Sequence, residues 1–187
     1  MGMTSPTNSS VNNKLRRPPK AVLFDLGDTL IKERVDDVRR LDEMTLYLKP
    51  HAKDVLEGLS RICKIGLLSD TETSPESAVR AALRKLGVES FFSAVVTSMD
   101  VGAAKPHRDP FLEALRQLDV SPTEAVMVGN DPGRDILGAK RLGMITILYR
   151  SSSYYHCGAE KEADYFVDSL DAIPPLVHSL QKSRAAR

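Results

Sequence analysis

Short apolar runs recur along the chain, and polar or small residues follow each of them. The runs are AVLF (21–24), KIGLLS (64–69), AVVTS (94–98), AVMVG (125–129), MITILY (144–149) and a weaker sixth, YFVDS (165–169). They are apolar at nearly every position rather than at alternate positions. This pattern is typical of strands that are buried on both faces of a sheet.

Between these runs, apolar residues recur at the spacing of a helix. Three stripes are clear: Val55, Leu56, Leu59 and Ile62; Val79, Leu83 and Leu86, before Gly87; and Phe111, Leu112, Leu115 and Leu118. One apolar stripe per segment predicts an amphipathic helix that packs against the sheet. We expect Asp109 and Pro110 to be the N-cap and first residue of the third helix. A fourth helix should begin near Pro132 and close at Gly143.

The alternation of strands and helices predicts the fold class. It favours an α/β fold, a Rossmann-like doubly wound parallel sheet with helices on both faces and right-handed crossovers. We expect this domain to span residues 20–181, with residues 31–50 as a short flap. Residues 1–19 are rich in Ser, Asn, Pro and Thr, so they are expected to be a disordered tail, as are residues 182–187.

Composition narrows the class of protein further. With 187 residues and 42% hydrophobic content, the chain can form one packed core. The 26 Lys and Arg residues balance 25 Asp and Glu residues, so no global charge favours nucleic acid or an anionic membrane as a partner. No run approaches the roughly 20 apolar residues of a membrane span, and no signal peptide is evident. We therefore expect a cytoplasmic protein in which Cys63 and Cys157 are free thiols.

Polar side chains follow the predicted strands at the point where each strand ends. They are Asp25, Gly27, Asp28 and Thr29 after the first strand, Ser69 and Asp70 after the second, Lys105 in a later loop, and Asn130, Asp131 and Asp135 after the fourth. The carboxyl ends of parallel strands meet at one edge of a sheet, which is where ligands bind in such folds. These side chains are therefore expected to converge there.

The chemistry of this set points to phosphate. Clustered carboxylates repel one another unless a cation lies among them, and all-oxygen ligation suits Mg²⁺. Lys105 could neutralise a phosphate group, while Ser69 and Thr29 could donate hydrogen bonds to its oxygens. A carboxylate can also accept a phosphoryl group as a nucleophile. Taken singly, however, such residues are often caps or turns: Asp70 could begin a loop, and Asp131 could cap the following helix.

Four segments resemble the motifs of the haloacid dehalogenase (HAD) superfamily of aspartate-nucleophile phosphotransferases. They are FDLGDTL, IGLLSD, AAKPHRDPF and VMVGNDPGRDILGAKRLGM, the last being the most specific. The resemblance extends from Lys20 to about Leu180 and implies a HAD-like fold. In dehalogenases of this superfamily a helical cap follows the first motif. Residues 31–50 are too few for one and no long insertion separates Asp70 from Lys105, so we expect no sizeable cap domain.

The resemblance also implies roles for individual residues. Asp25 would be the nucleophile that becomes an aspartyl phosphate, and its other oxygen would bind Mg²⁺ together with the backbone carbonyl of Gly27. The phosphate would be held by Ser69 and neutralised by Lys105. Further expected substrate-binding residues are Thr29 and Asp70, and further expected metal-site residues are Asp135 and either Asn130 or Asp131.

The chain departs from the family pattern at two positions. Phosphatases of the family usually carry a second aspartate, which acts as general acid and base, two residues after the nucleophile; here that position is Gly27. Asp28 is one residue further on and would take the role only if the turn redirects its side chain, so it is a candidate catalytic residue. Asn130 occupies the place of the usual ligand aspartate, which leaves Asn130 and Asp131 as alternative contacts to the metal.

The function predicted from these observations is that of a Mg²⁺-dependent phosphatase that forms a phosphoenzyme at Asp25. One alternative is a degenerate member that binds a phosphorylated ligand or a protein and hydrolyses little, which Gly27 and Asn130 favour. Another is a dehalogenase-type hydrolase, which the absence of a cap disfavours. The expected partner is a phosphorylated small molecule or a larger phosphorylated substrate, with no nucleic acid or membrane, and a homodimer is left open.

Overall fold

The computed structural model describes residues 18–32, 39–150 and 159–185. The strands are β1 (Ala21–Phe24), β2 (Lys64–Ser69), β3 (Ala94–Thr97), β4 (Ala125–Gly129), β5 (Ile145–Tyr149) and β6 (Tyr165–Val167). The helices are α1 (Ala52–Ser60), α2 (Glu76–Lys85), α3 (Ser98–Val101), α4 (Arg108–Leu118), α5 (Leu137–Arg141) and α6 (Ile173–Ala185). The predicted strands are confirmed, with ends that differ by at most two residues.

All strand pairs of the sheet are parallel, and the strand order is β3-β2-β1-β4-β5-β6. The chain builds outward from β1 to β3, then returns to add β4 on the other side of β1. This reversal leaves a crevice between the carboxyl ends of β1 and β4, the usual ligand position in a doubly wound sheet. The predicted α/β fold class is confirmed.

Both faces of the sheet are covered by helices, and alternate residues of each strand enter different cores. In β1, Val22 and Phe24 pack in the core beneath α1, α2 and α6, while Ala21 and Leu23 pack in the core beneath α4 and α5. Burial on both faces is the physical reason why these strands are apolar at every position.

Two predicted helix boundaries are wrong in detail, and the helix predicted to begin near Pro132 does begin there. Helix α1 ends at Ser60, so Ile62 lies beyond it and is 40% exposed. The N-cap of α4 is His107, whose imidazole accepts a hydrogen bond from the backbone N–H of Asp109 in the first turn of the helix. The segment that begins at Pro132 starts as one π-helical turn, Pro132–Ile136, before α5. Gly143 closes this segment with a φ of +84°, as expected.

The ends of the described chain differ from the predicted domain boundaries. Helix α6 continues to Ala185, past the predicted end of the domain at residue 181, and its residues Ile173, Val177 and Leu180 pack in the core. At the other end Pro19 is buried, and its carbonyl accepts a hydrogen bond of 2.9 Å from Gln181 Nε2. Residues 1–17 and 186–187, most of the predicted tails, lie outside the described residues.

The described part of the flap, residues 31–32 and 39–50, lies along the edge of the domain. Ile31 pairs with Leu48 in an antiparallel bridge, and the Leu41 N–H donates to Ser74 Oγ over 2.9 Å. Residues 71–104 form α2, β3, α3 and their connections, without a separate cap. Cys63 is a free thiol whose pKa burial raises to about 11, while Cys157 lies outside the described residues. Among the helices described, none has the length and apolar character to cross a membrane.

Candidate active site

A cavity of about 800 Å³ opens at the carboxyl edge of the sheet, over the crevice between β1 and β4. Most of the predicted site residues line it: Asp25, Gly27, Ser69, Asp70, Lys105, Asn130, Asp131 and Asp135. Residues separated by up to 110 positions in the sequence thus converge, as the strand-end argument predicts. Thr29 contacts this group from beneath, and Asp28 alone is directed elsewhere.

Lys105 is the electrostatic centre of the site. Its Nζ lies 2.6 Å from Asp25 Oδ1 and 2.8 Å from Asp135 Oδ1, and it donates to the carbonyl of Leu68 over 3.0 Å. The side chains of Lys105 and Asp135 are almost wholly buried, at 2% and 1% exposure. One buried cation therefore neutralises two carboxylates, which otherwise could not both be ionised at this separation.

Burial and charge compete in setting the protonation of this pair. Burial alone would lower the pKa of Lys105, but the charges of Asp135, Asp25 and Asp70 raise it above its ordinary value. Burial raises the pKa of Asp135 to about 7, against the opposing effect of Lys105. The lysine is therefore a permanent positive charge at the floor of the cavity.

Thr29 holds the Asp25 carboxylate from the opposite side. Its Oγ1 lies 3.0 Å from Asp25 Oδ2 and 3.1 Å from Asn130 Oδ1, and the residue is fully buried. With Lys105 on Oδ1 and Thr29 on Oδ2, both carboxylate oxygens of Asp25 are fixed. The threonine hydroxyl is thus engaged by Asp25 and Asn130, and its role in binding phosphate stays a prediction.

Ser69 and Asp70 continue β2 into the cavity. Ser69 is buried and its side chain lines the cavity beside Asp25. Asp70 Oδ1 accepts a hydrogen bond of 3.0 Å from the backbone N–H of Lys105, and Asp70 Oδ2 lies 3.6 Å from Arg134 Nη1. Asp70 therefore ties the loop that carries the lysine to the end of β2.

Asp131 is a helix cap, the alternative that the sequence left open. Its Oδ1 accepts hydrogen bonds from the backbone N–H groups of Gly133 and Arg134, at 2.8 and 2.9 Å, and its Oδ2 lies 3.3 Å from Arg134 Nε. Asn130 Oδ1 instead shares the Thr29 hydroxyl with Asp25. This geometry favours Asn130 over Asp131 as the residue that faces a metal bound to Asp25.

Gly27 and Asp28, which follow Asp25 in the turn, lie on different sides of it. Gly27 lines the cavity, and its φ is not positive. Asp28 adopts the left-handed conformation, with a φ of +53°, and its carboxylate lies 3.3 Å from Lys49 Nζ. The unusual backbone angle expected of the glycine thus belongs to Asp28, and it carries the Asp28 side chain away from the cavity.

The donor set at this edge fits Mg²⁺, although among the described residues no three His, Cys, Asp or Glu side chains are grouped closely enough to hold a metal ion by themselves. Asp25, Asp135, the amide oxygen of Asn130 and the carbonyl of Gly27 offer only oxygen. Mg²⁺ typically takes one or two carboxylates and keeps several waters. In addition, buried Asp135 Oδ1 and Asp70 Oδ2 lack a hydrogen bond of good geometry.

Sequence reasoning missed several residues of the site. The flap contributes part of the cavity wall through Ile31, Lys32, Arg39, Leu41, Met44 and Leu46. Arg134 contacts both Asp70 and Asp131. Its position in the turn after β4 was the only available signal, since a single arginine in a loop has no distinctive spacing.

The variant Gly129→Ala tests the placement of the Asp135 carboxylate. A Cβ at Gly129 would lie 2.1 Å from Asp135 Oδ2, so Gly129→Ala must displace that carboxylate from Lys105. We expect kcat/KM for an aryl phosphate to fall at least about tenfold, because small displacements of site groups are costly. The matched control is Gly58→Ala in α1, where nothing lies within 4 Å and activity should be unchanged. Equal activity of both variants would contradict the assigned role of Asp135.

Comparisons with known proteins agree with this geometry. A family model described as haloacid dehalogenase-like hydrolase matches residues 32–143. The chain is 39% identical to the glyceraldehyde 3-phosphate phosphatase of Methanopyrus kandleri and 30% identical to that of Methanocaldococcus jannaschii, with 75% and 87% of the chain aligned. It spans 62% and 71% of the lengths of these relatives.

A solved structure has the same fold. The crystal structure of an uncharacterized protein from Listeria monocytogenes serotype 4b superposes with a TM-score of 0.75 at 28% identity, over 87% of this chain and 99% of that one. The matched motifs, the parallel sheet and the cluster around Asp25 lead to the same assignment. The chain belongs to the haloacid dehalogenase-like hydrolases.

Proposed function

We propose that the protein is a Mg²⁺-dependent phosphatase in which Asp25 is the nucleophile. The observation that carries the proposal is the fixed, lysine-paired carboxylate of Asp25 that lines the cavity, 2.6 Å from Lys105 Nζ. A carboxylate held in this way can attack phosphorus, and the adjacent ammonium can stabilise the charge of the transferred group.

The first chemical step transfers the phosphoryl group to the protein. An oxygen of Asp25 forms a bond to phosphorus while the bond between phosphorus and the leaving group breaks, and the leaving group departs with the electron pair. Lys105 and Ser69 bind the phosphoryl oxygens during the transfer. Water then attacks the aspartyl phosphate, which releases inorganic phosphate and restores Asp25.

A magnesium ion would be held by Asp25, Asn130, Asp135 and the carbonyl of Gly27. When bound, it would supply positive charge that neutralises phosphoryl oxygens and draws the anionic substrate to the carboxylates. Thr29 would position Asp25 and Asn130 for this role, since its hydroxyl contacts both.

The names of the relatives support a phosphorylated substrate. Two of them are phosphatases of glyceraldehyde 3-phosphate, a small phosphate monoester. The cavity of about 800 Å³ has room for a small metabolite, and Lys32, Arg39 and Arg134 bring positive charge to its walls. A phosphorylated small molecule is therefore the substrate class that we propose.

Metal removal tests the proposal. Release of aryl alcohol from an aryl phosphate should fall at least about 100-fold in excess EDTA, return on addition of Mg²⁺, and be blocked by beryllium fluoride, which mimics a phosphoryl group on a carboxylate. As a control, thermal denaturation in EDTA would verify that the protein stays folded without the metal. Beryllium fluoride binding without turnover would instead favour the degenerate ligand-binding alternative, and release unaffected by EDTA would contradict the proposal.

A further inference from the structure

We propose that this site selects its substrates by their leaving group. It would hydrolyse phosphoryl compounds whose leaving group departs as a stable anion, such as acyl phosphates, phosphoanhydrides and aryl phosphates, and would be slow with alkyl phosphates. The inference rests on the proposed function and specifies its substrate class.

The first observation concerns the turn that follows the nucleophile. Within this turn only Asp25, Leu26 and Gly27 line the cavity, so the position nearest the nucleophile that could carry an acid has no side chain. Gly27 does not have a positive φ, so its backbone angles do not require a glycine. The acid is therefore missing because of the residue type, and the backbone conformation does not forbid one.

The second observation is that the neighbouring acid is held outside the cavity. The Asp28 carboxylate faces Lys49 Nζ at 3.3 Å, and Lys49 in turn lies over the ring of Tyr149 at 5.7 Å. The side chains of Asp28 and Lys49 are only 16% and 10% exposed. The backbone of Lys49 is itself fixed by a hydrogen bond of 2.8 Å to the carbonyl of Leu30. Moving Asp28 into the cavity would break this partly buried ion pair.

The third observation concerns the other proton-bearing groups that line the cavity among the described residues. Asp70, Asp131 and Asp135 are each engaged by a backbone N–H of the protein, those of Lys105, Gly133 and Asp131 respectively. Asp135 also lies 2.8 Å from Lys105 Nζ, so these three carboxylates are held by contacts within the protein. Lysine and arginine side chains hold their protons too tightly at neutral pH to be effective acids. Glu72 is exposed at the rim and is the one remaining carboxylate of this wall to be tested.

The chemical consequence follows from the electron balance of the first step. When the bond between phosphorus and the leaving oxygen breaks, that oxygen takes the electron pair. The carboxylate of an acyl phosphate or the phosphate of a phosphoanhydride is stable with that pair. An alkoxide is strongly basic and needs a proton from a general acid, help that is typically worth 10²–10⁴-fold in rate.

The second step has a corresponding consequence. Water that attacks the aspartyl phosphate must lose a proton, and no described side chain of this turn is placed to accept it. The proton passes to a phosphoryl oxygen or to solvent, so that water and the aspartyl phosphate yield free Asp25 and inorganic phosphate. Dephosphorylation should then be slow enough for the phosphoenzyme to accumulate, and aryl alcohol should appear in a burst of about one equivalent.

The test compares kcat/KM across a series of substrates with Mg²⁺ present. The series contains acetyl phosphate, pyrophosphate, aryl phosphates of graded leaving-group pKa, and the alkyl esters glycerol 3-phosphate and glyceraldehyde 3-phosphate. For wild type, log kcat/KM should fall steeply as the pKa of the leaving group rises. The matched variants Gly27→Asp and Gly27→Asn are then measured on the same series.

We expect Gly27→Asp to raise the ratio of alkyl to acyl phosphate turnover about 100-fold, because it restores an acid beside the leaving group. Asn has a volume similar to that of Asp but no acidic proton, so Gly27→Asn should leave this ratio at the wild-type value. The double variant Gly27→Asp with Asp28→Gly is a second test, since glycine favours the left-handed position that Asp28 now occupies. Thermal denaturation verifies that each variant folds.

The outcomes separate this inference from the proposed function. A flat dependence on leaving-group pKa in wild type, together with turnover that needs Mg²⁺, overturns the inference and leaves the phosphatase intact. A Glu72→Gln variant that steepens the dependence would also overturn it, by identifying Glu72 as the acid. No turnover of any member of the series, and no burst, would instead overturn the proposed function itself.

Discussion

Replacing Asp25 with asparagine is expected to lower kcat/KM for an aryl phosphate by on the order of 10⁴-fold or more, because the amide cannot form the covalent intermediate. The fold should tolerate the change, since Asn preserves the shape of the side chain: its Oδ1 can still accept from Lys105, and its Nδ2 can donate to the Thr29 hydroxyl. The measurement is steady-state hydrolysis in Mg²⁺, combined with trapping of phosphoenzyme from a radiolabelled substrate.

The matched control for this variant is Asp119→Asn. Asp119 follows α4 at the opposite edge of the sheet, is exposed, and has a φ of +53°, a conformation that asparagine tolerates well. Activity and label incorporation should equal those of wild type in the control and vanish in Asp25→Asn. Persistent labelling of the Asp25→Asn protein would place the nucleophile elsewhere.

Replacing Lys105 with methionine should affect both activity and stability. We expect kcat/KM to fall about 10³-fold, because the buried positive charge beside Asp25 is lost. The free energy of unfolding should drop by about 3–5 kcal/mol, since Asp25 and Asp135 are left as uncompensated charges in a nearly dry site. Steady-state kinetics and urea denaturation in EDTA measure the two effects.

The stability loss should depend on pH in a defined direction. Burial already raises the pKa of Asp135 to about 7, and removing Lys105 raises it further. The folded variant then binds more protons than the unfolded chain above the ordinary pKa of aspartate, so its stability falls as pH rises. The variant should therefore be closer to wild type at pH 5 than at pH 8.

Lys140→Met is the control for this second variant. Lys140 forms a partly buried ion pair with Asp164 at 2.5 Å, remote from the cavity, so its loss should cost stability without changing kcat/KM. A Lys105→Met protein with wild-type kinetics would contradict the electrostatic role of Lys105 at the site.

Much of the fold could be predicted from the sequence, because strands that are buried on both faces are apolar at nearly every position. The run at 125–129 could only be a buried strand, and a polar residue directly after it had to reach the carboxyl edge. The convergence of Asp25, Lys105 and Asp135 follows from that logic together with strand order. The ends of helices are harder to predict, because the spacing of apolar residues can continue past the last turn. Ile62 has helical spacing but lies beyond the end of α1.

Other parts of the site depend on contacts between distant segments, which periodicity does not encode. Asp28 turns outward because Lys49, from the far end of the flap, pairs with it. Asp131 is committed to capping because the next turn is a π-helix with free N–H groups. The flap lines the cavity because Ile31 and Leu48 pair in an antiparallel bridge, and the sequence around either residue does not predict this pairing.

The hydrogen bond between Gln181 Nε2 and the Pro19 carbonyl, here called the clasp, has a practical consequence for handling the protein. It brings the start of β1 and helix α6 together at the edge of the sheet that faces away from the cavity. Affinity tags, fluorophores or immobilisation linkers attached at either side of this clasp would leave the mouth of the cavity open. The same proximity makes the domain a suitable starting point for circular permutation, with new termini cut in a surface loop.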